Sequence, residues 1–129
     1  MSNPISRALR IGTLGELLVQ IRLLQFDVQA APPLKDSGND LIAVKGTRFH
    51  TIQVKTTGSG DIPPWPDAQR IYSLLAVVQL AGEDRSLFLD DSHVYLVPKS
   101  RLANLPRSWD ALRPFSMAPE HVDHLFAPA

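Results

Sequence analysis

The sequence contains no cysteine among its 129 residues, which excludes disulfides, a thiolate nucleophile and cysteine-ligated zinc. It also lacks net charge, because 13 Lys and Arg residues balance 13 Asp and Glu residues. A strongly basic chain is attracted to nucleic acid or anionic lipid as a whole, so such binding must here come from a local patch. No apolar run reaches membrane-spanning length, and the first residues lack the pattern of a secretory signal. We therefore expect a cytoplasmic protein that does not enter a membrane.

The composition predicts one globular domain covering residues 1–129. With 44% hydrophobic and 20% charged residues, the chain is typical of folded proteins, and its length suits a single core. Its 11 prolines cluster at 32–33, at 63–66 and in a tail from about 106 to 129, and such clusters mark loops. We expect this tail to wrap the surface, with a short helix near 120–126.

A helix is predicted from Thr13 to about Gln25. Thr13 and Glu16 have the spacing of a capping box, in which the threonine accepts from first-turn amides and the glutamate reaches back. Apolar residues at three- and four-residue spacing form the stripe of an amphipathic helix. They are Leu14, Leu17, Leu18, Ile21 and Leu24.

Several strands are predicted after the helix. Alternating residues predict a strand at 26–30, a turn follows at 36–39, and two strands at 40–45 and 48–57 flank Gly46-Thr47. The apolar run at 74–80 could be a buried strand or a helix, and its length and valines favour a strand; a further strand is predicted at 94–97. The order of helix, strand, hairpin and further strands favours an α/β or α+β fold around a mixed sheet.

The register of the hairpin brings polar residues together. Across a two-residue turn, paired positions keep a constant sum of residue numbers. The expected pairs are Val44 with Phe49, Ile42 with Thr51 and Asp40 with Gln53. Side chains two residues apart share a face, so Lys55 is a diagonal neighbour of Asp40. An acid, an amide and an amine thus meet at one end of the hairpin.

Glu16 on the helix, Asp40 at the start of a strand and Gln53-Val54-Lys55 on the next strand resemble the motif of the PD-(D/E)XK nuclease superfamily. The sequence is most similar to the branch in which glutamine replaces the second acid, as in certain intron-encoded homing endonucleases and many small bacterial proteins. The resemblance spans residues 12–57. It implies a restriction-endonuclease-like core and a metal-dependent endonuclease that hydrolyses DNA.

The resemblance also implies a role for each motif residue around a Mg²⁺ (or Mn²⁺) ion, which favours oxygen ligands. Asp40 would bind the metal directly, with the amide oxygen of Gln53 and the carbonyl of Val54 as further ligands. Glu16 would act through water. Lys55 would orient or help deprotonate the attacking water and stabilise the phosphate.

Simpler interpretations exist for each residue. The capping box explains Glu16, Asp40 could close the preceding turn, and Lys55 could be a solvated strand residue. Gln53 also removes one negative charge from the expected metal site. The alternatives are therefore an inactive nuclease-fold module that binds nucleic acid or a protein, or a small structural or immunity-type protein.

The histidines at 50, 121 and 124 are weaker candidates for a functional site. Glu120, His121 and His124 have helical spacing suited to a metal, although a surface position is the simpler expectation. His50 should face away from Gln53, as a packed or exposed histidine rather than a general base.

The two halves of the sequence carry opposite net charge. Residues 1–60 hold seven basic and four acidic residues, a net +3, and residues 61–129 hold six basic and nine acidic residues, a net −3. DNA binding should therefore be confined to the motif-bearing half.

Because cutting both strands needs two sites, we expect a homodimer or a larger symmetric oligomer.

Overall fold

A long N-terminal helix packs on a mixed five-stranded sheet in the computed structural model, which describes residues 5–35, 38–58, 60–83 and 85–128. The sheet order is β1-β2-β3-β4-β7, in which only β3 and β4 are parallel. The helices and strands are α1 (Arg7–Gln25), β1 (Gln29–Ala31), β2 (Leu41–Lys45), β3 (Arg48–Thr57), β4 (Leu74–Gln79), β5 (Gly82–Glu83), β6 (Ser86–Leu87), β7 (His93–Pro98), α2 (Trp109–Leu112) and α3 (Pro119–Leu125). Short 3-10 helices cover Leu89–Asp91, Lys99–Asn104 and Arg113–Phe115. The predicted α+β class, with a helix before a mixed sheet, is confirmed.

The β2–β3 hairpin has the predicted register. Val44 pairs with Phe49 and Ile42 pairs with Thr51. Gly46 has φ +62°, which suits the first central position of a type II′ turn. The strands predicted at 74–80 and 94–97 are likewise present as β4 and β7.

The first strand and the turn after it are less well predicted. Residues 26–27 end the helix rather than starting a strand, and Asp27 has φ +63°. The strand itself, β1, covers only Gln29–Ala31. Within the turn predicted at 36–39, Asp36 and Ser37 lie outside the described residues.

The predicted capping box is wrong, because α1 begins two turns earlier. The helix starts at Arg7, and the Ser6 side chain caps it by accepting a hydrogen bond from the Leu9 N–H at 3.1 Å. Thr13 and Glu16 lie in the helix interior, where neither can cap. Glycines at 12 and 15 lower the helix propensity of this region, so the sequence pattern does not indicate that the helix begins before Thr13. Capping therefore no longer explains Glu16.

The apolar stripe predicted on α1 is only partly the buried face. Leu18 is buried, but Leu17, Ile21 and Leu24 are exposed by 49%, 52% and 66%. The residues that face the sheet are Ile11, Gly15, Leu18, Val19 and Leu23. The helix thus has a second, exposed apolar stripe. No helix in the described part of the chain is long and apolar enough to cross a membrane.

The proline-rich tail contributes to the core, contrary to the prediction that it only wraps the surface. Its buried residues are Leu112, Phe115, Val122, Leu125 and Phe126. Ser116 bridges to Tyr95, and the Met117 N–H donates to the Val94 carbonyl at 2.9 Å. The tail therefore covers the outer edge of β7. Its predicted helix at 120–126 is present as α3.

The two faces of the sheet are covered unequally. One face is covered by α1 and α3. On the other, residues from the Lys99–Asn104 helix, α2 and the Arg113–Phe115 helix pack against β4 and β7. The β2–β3 half of that second face remains open, and its residues Ile42, Val44 and Phe49 are 38%, 38% and 64% exposed. The predicted polar cluster lies at the end of this half-open face.

Helix α1 approaches β3 most closely at Gly15. A Cβ atom placed there would lie 1.8 Å from the Oγ1 atom and 2.7 Å from the Cβ atom of Thr56. A Cβ at Gly12 would meet nothing within 4 Å. Gly15 therefore sets the distance between the helix and the strand, and it holds its neighbour Glu16 near the sheet. A glycine inside an amphipathic helix is the sequence signal for this contact.

Alanine at these two glycines should have opposite effects on stability. Gly15→Ala should lower the free energy of unfolding by about 1–3 kcal/mol, because the helix must move away from Thr56. Gly12→Ala should raise it by about 0.5–1 kcal/mol through helix propensity alone. Urea denaturation followed by circular dichroism measures both, and equal stabilisation by the two substitutions would contradict the close contact.

Candidate functional site

A gap in strand pairing marks the candidate site. The β2–β3 ladder ends at the pair Leu41 with Ile52, whereas β3 continues to Thr57 with β4 as its neighbour. Residues 54–57 therefore have no described strand on their β2 side. Asp40 lies immediately before β2, at this point. We call the gap beside residues 54–57, bounded by Asp40, the notch.

Asp40 and Gln53 are in direct contact at the notch. The Gln53 Nε2 atom donates to the Asp40 Oδ2 atom at 2.9 Å, and the Val54 N–H donates to the same oxygen at 2.8 Å. The cross-strand neighbours expected from the hairpin register are thus hydrogen-bonded. Two N–H groups fix the Asp40 carboxylate through one oxygen, which leaves the other to bind elsewhere.

The amide oxygen of Gln53 is buried without a partner. Gln53 is only 4% exposed, and its Oε1 atom has no hydrogen-bond partner among the described residues. Leaving such an acceptor unpaired costs about 1–3 kcal/mol. A ligand that supplies positive charge to this oxygen would offset the cost.

The Val54 carbonyl also points toward the notch. The carbonyls of Thr51 and Thr57 accept from Ser73 and Leu80 on the β4 side. Backbone groups alternate direction along a strand, so those of Val54 face the opposite side, as its N–H bond to Asp40 shows. The notch therefore receives a third oxygen from the chain.

Glu16 supplies the second carboxylate. Its pKa is raised, mainly because partial burial disfavours its charge and further because the Asp40 carboxylate is near. The Asp40 charge can raise the pKa of Glu16 only if the two carboxyl groups are close to each other. Glu16 of the helix therefore lies near the Asp40 side of the notch.

Lys55 lies two residues beyond Gln53 on the same side of β3. Its side chain is half-buried, and its ammonium makes no hydrogen bond or ion pair with any residue that the structure describes. A lysine without a protein partner can bind an anionic ligand without first breaking an ion pair.

The available donors are all oxygen atoms: two carboxylates, one amide oxygen and one backbone carbonyl. This set suits Mg²⁺ or Mn²⁺, which bind hard ligands and retain several waters. No group of three or more His, Asp or Glu side chains within the described ranges could hold a metal ion. The site therefore has only two formal negative charges, and we expect it to bind a divalent cation weakly.

The histidines of the alternative interpretations have structural contacts. His121 contacts the Leu96 carbonyl through Nε2 at 2.7 Å, and His124 is exposed. His50 contacts the Ser73 hydroxyl through Nδ1 at 2.9 Å and the Leu125 carbonyl through Nε2 at 2.8 Å. His50 is therefore packed, one of the two positions expected for it, and His121 holds α3 against β7.

Comparison with protein-family models, curated proteins and solved structures finds no match for this chain. The function of the notch is therefore inferred from its own chemistry.

Removing the charge of Glu16 should stabilise the protein only above acidic pH. The raised pKa means that the folded state binds more protons than the unfolded state between the ordinary value of 4.5 and the pKa of the folded state. The charged carboxylate is therefore unfavourable to folding at pH 7, and this cost disappears below pH 4.5. Glu16→Gln should increase the free energy of unfolding at pH 7, by less than about 1 kcal/mol because the group is half-exposed.

Chemical denaturation at pH 7 and pH 4 tests this expectation. The matched control is Glu83→Gln, since Glu83 is exposed on β5. An equal effect of Glu16→Gln at both pH values, or no difference from the control, would contradict the raised pKa of Glu16.

Proposed function

We propose that the protein is a metal-dependent endonuclease that hydrolyses DNA phosphodiester bonds at the notch, with the core and motif of the PD-(D/E)XK superfamily. The carrying observation is the buried Gln53 Oε1 atom, which has no hydrogen-bond partner among the described residues and lies beside the Asp40 carboxylate. The helix on a mixed sheet, with the motif on a hairpin, supports the same proposal.

Asp40, Gln53 and Val54 would hold the metal ion, with Glu16 acting through a bound water. A bound Mg²⁺ would neutralise charge on the phosphate and lower the pKa of a coordinated water. Asp40 contributes because two N–H groups fix its orientation. Such fixed geometry removes reorganisation from the reaction.

Lys55 would act on the substrate. Hydrolysis forms a bond from a water oxygen to phosphorus and breaks a phosphorus–oxygen bond of the backbone, and the leaving oxygen takes up a proton. The Lys55 ammonium can orient the water and stabilise the negative charge that develops on the phosphate. Its freedom from described protein partners leaves all three N–H donors for this role.

A plasmid and a branched DNA incubated with the protein provide the test. We expect cleavage with Mg²⁺ or Mn²⁺ and none with a chelator. Asp40→Asn, purified identically, is the control for contaminating nucleases, because it keeps an acceptor for the Val54 N–H but loses the charge. Absence of cleavage by the native protein, or equal cleavage by Asp40→Asn, would refute the proposal.

Gln53 also favours a second function, an inactive module of the same fold that binds DNA. A neutral amide in place of a carboxylate weakens the metal site. In that case the protein shifts the mobility of DNA, in a salt-dependent manner, without cutting it. Metal-dependent cleavage by the native protein excludes this second function.

A further inference from the structure

An uncharged apolar surface lies around β1, at the opposite edge of the sheet from β7. The exposed side chains of Leu17, Ile21 and Leu24 form what we call the α1 stripe. The stripe borders a depression of about 380 Å³ that also includes Gln29 and Ala30 of β1. A second depression of about 400 Å³ shares these two residues and continues to Leu34 and Ile42. The two depressions therefore form one continuous surface around β1.

This surface is unsuited to DNA. None of the described residues that line either depression is charged, and binding to a phosphate backbone depends on lysine and arginine. Contiguous exposed apolar surface in a folded protein usually marks a protein interface. The occupant must therefore present an apolar, uncharged surface of its own.

The edges of the five-stranded sheet indicate that the occupant is a second copy of the chain. The tail covers the outer edge of β7, whereas no described segment pairs with the outer edge of β1. Pairing of the β1 edge with the same edge of a second copy is isologous, so it gives a closed pair and not an extended filament. Zero net charge also removes long-range repulsion between identical copies.

The geometry of β1 indicates where the symmetry axis lies. Gln29 and Ala31 pair with Val44 and Ile42, which are the β2 residues directed away from β3. Because backbone groups alternate along a strand, the N–H and C=O of Ala30 face outward. Two copies of Ala30 can exchange two hydrogen bonds across a twofold axis. Pro32 follows closely and has no N–H, so backbone pairing ends there.

Because this backbone pairing is short, side chains must supply most of the contact. The α1 stripe and Ala30 line the same depression. An axis perpendicular to the sheet at Ala30 brings the two α1 stripes together as antiparallel neighbours. We propose that the α1 stripe and β1 form a homodimer interface with a twofold axis at Ala30.

The consequence for the notch rests on the proposed function. A perpendicular twofold axis keeps the same face of both sheets upward but reverses the strand direction, so the two notches lie on one face of the dimer at opposite ends of the strands.

Sedimentation and light scattering, which need neither DNA nor metal, test the dimer independently of the nuclease proposal. We expect the native protein at twice its monomer mass of 14.2 kDa. Ile21→Asp should weaken association at least about 100-fold without loss of helical content, because Ile21 is exposed. Leu9→Asp, at another exposed position of α1, should remain dimeric. A native monomer at all micromolar concentrations, or a dimer unaffected by Ile21→Asp, would overturn the proposal.

A cross-link tests the position of the axis. Because the chain has no cysteine, Ala30→Cys introduces a single thiol. A short bis-maleimide should then link two copies covalently, whereas Leu9→Cys should give no linked dimer. Linking of the Leu9→Cys variant alone would exclude an axis at Ala30.

Discussion

Replacing Lys55 with alanine is expected to lower the rate of DNA cleavage at least about 100-fold, which corresponds to about 2.7 kcal/mol of lost transition-state stabilisation. The same substitution should leave metal affinity nearly unchanged, because the ammonium is a cation and cannot be a ligand. Folding should also be little affected, since the Lys55 side chain has no described hydrogen-bond or ion-pair partner.

Single-turnover cleavage at saturating Mg²⁺, together with calorimetric titration of Mn²⁺, separates these effects. Arg107→Ala is the matched control, because it removes an equal charge from an exposed position in the tail. A Lys55→Ala variant that cleaves at the native rate would contradict the assigned role. A loss of both metal binding and cleavage would place Lys55 in the structure of the site rather than in its chemistry.

Replacing Gln53 with glutamate is expected to make stability depend on metal. Residue 53 is buried and within 2.9 Å of Asp40, so a second carboxylate there loses a hydrogen bond and gains a like charge. Without metal at pH 7, the free energy of unfolding should fall by about 2–4 kcal/mol. A divalent ion between the two carboxylates should restore about 2.7 kcal/mol at 100 times its dissociation constant.

Thermal unfolding with and without Mg²⁺ measures this effect in the native protein, in Gln53→Glu and in Gln69→Glu, a control in an exposed loop. We expect the largest metal-dependent rise in Tm for Gln53→Glu. A Gln53→Glu protein as stable as the native one without metal would show that residue 53 does not share a site with Asp40. An unstable variant that Mg²⁺ fails to rescue would argue against the metal.

The hairpin could be predicted because strict rules link its sequence to its geometry. A two-residue turn fixes a constant sum for paired residues, and the alternation of side chains then decides which residues share a face. The closeness of Gln53 to Asp40 follows from these rules alone. These rules do not predict that the Gln53 Oε1 atom lacks a hydrogen-bond partner among the described residues, because that depends on every atom packed around the side chain.

Helix α1 shows where such rules fail. Thr13 and Glu16 match a capping box, but Ser6 provides the cap and the packing of Ile11 on the sheet extends the helix. The spacing of the exposed α1 stripe is as regular as that of the buried face. Periodicity therefore could not say which face meets the sheet, and the close contact at Gly15 decides it.

The tail was misjudged for a different reason. Its prolines break regular structure and indicate loops, but they do not prevent apolar residues between them from reaching the core. Phe115 and Phe126 are buried by packing against opposite faces of the sheet. Contacts of this kind are long-range and leave no local pattern in the sequence.

The most direct test of the proposed metal site is the anomalous scattering of a crystal soaked in Mn²⁺. The proposal predicts a single strong peak at the notch, within bonding distance of the Asp40 carboxylate, the Gln53 amide oxygen and the Val54 carbonyl. Well-ordered density for these residues with no peak between them, at millimolar Mn²⁺, would contradict the central claim.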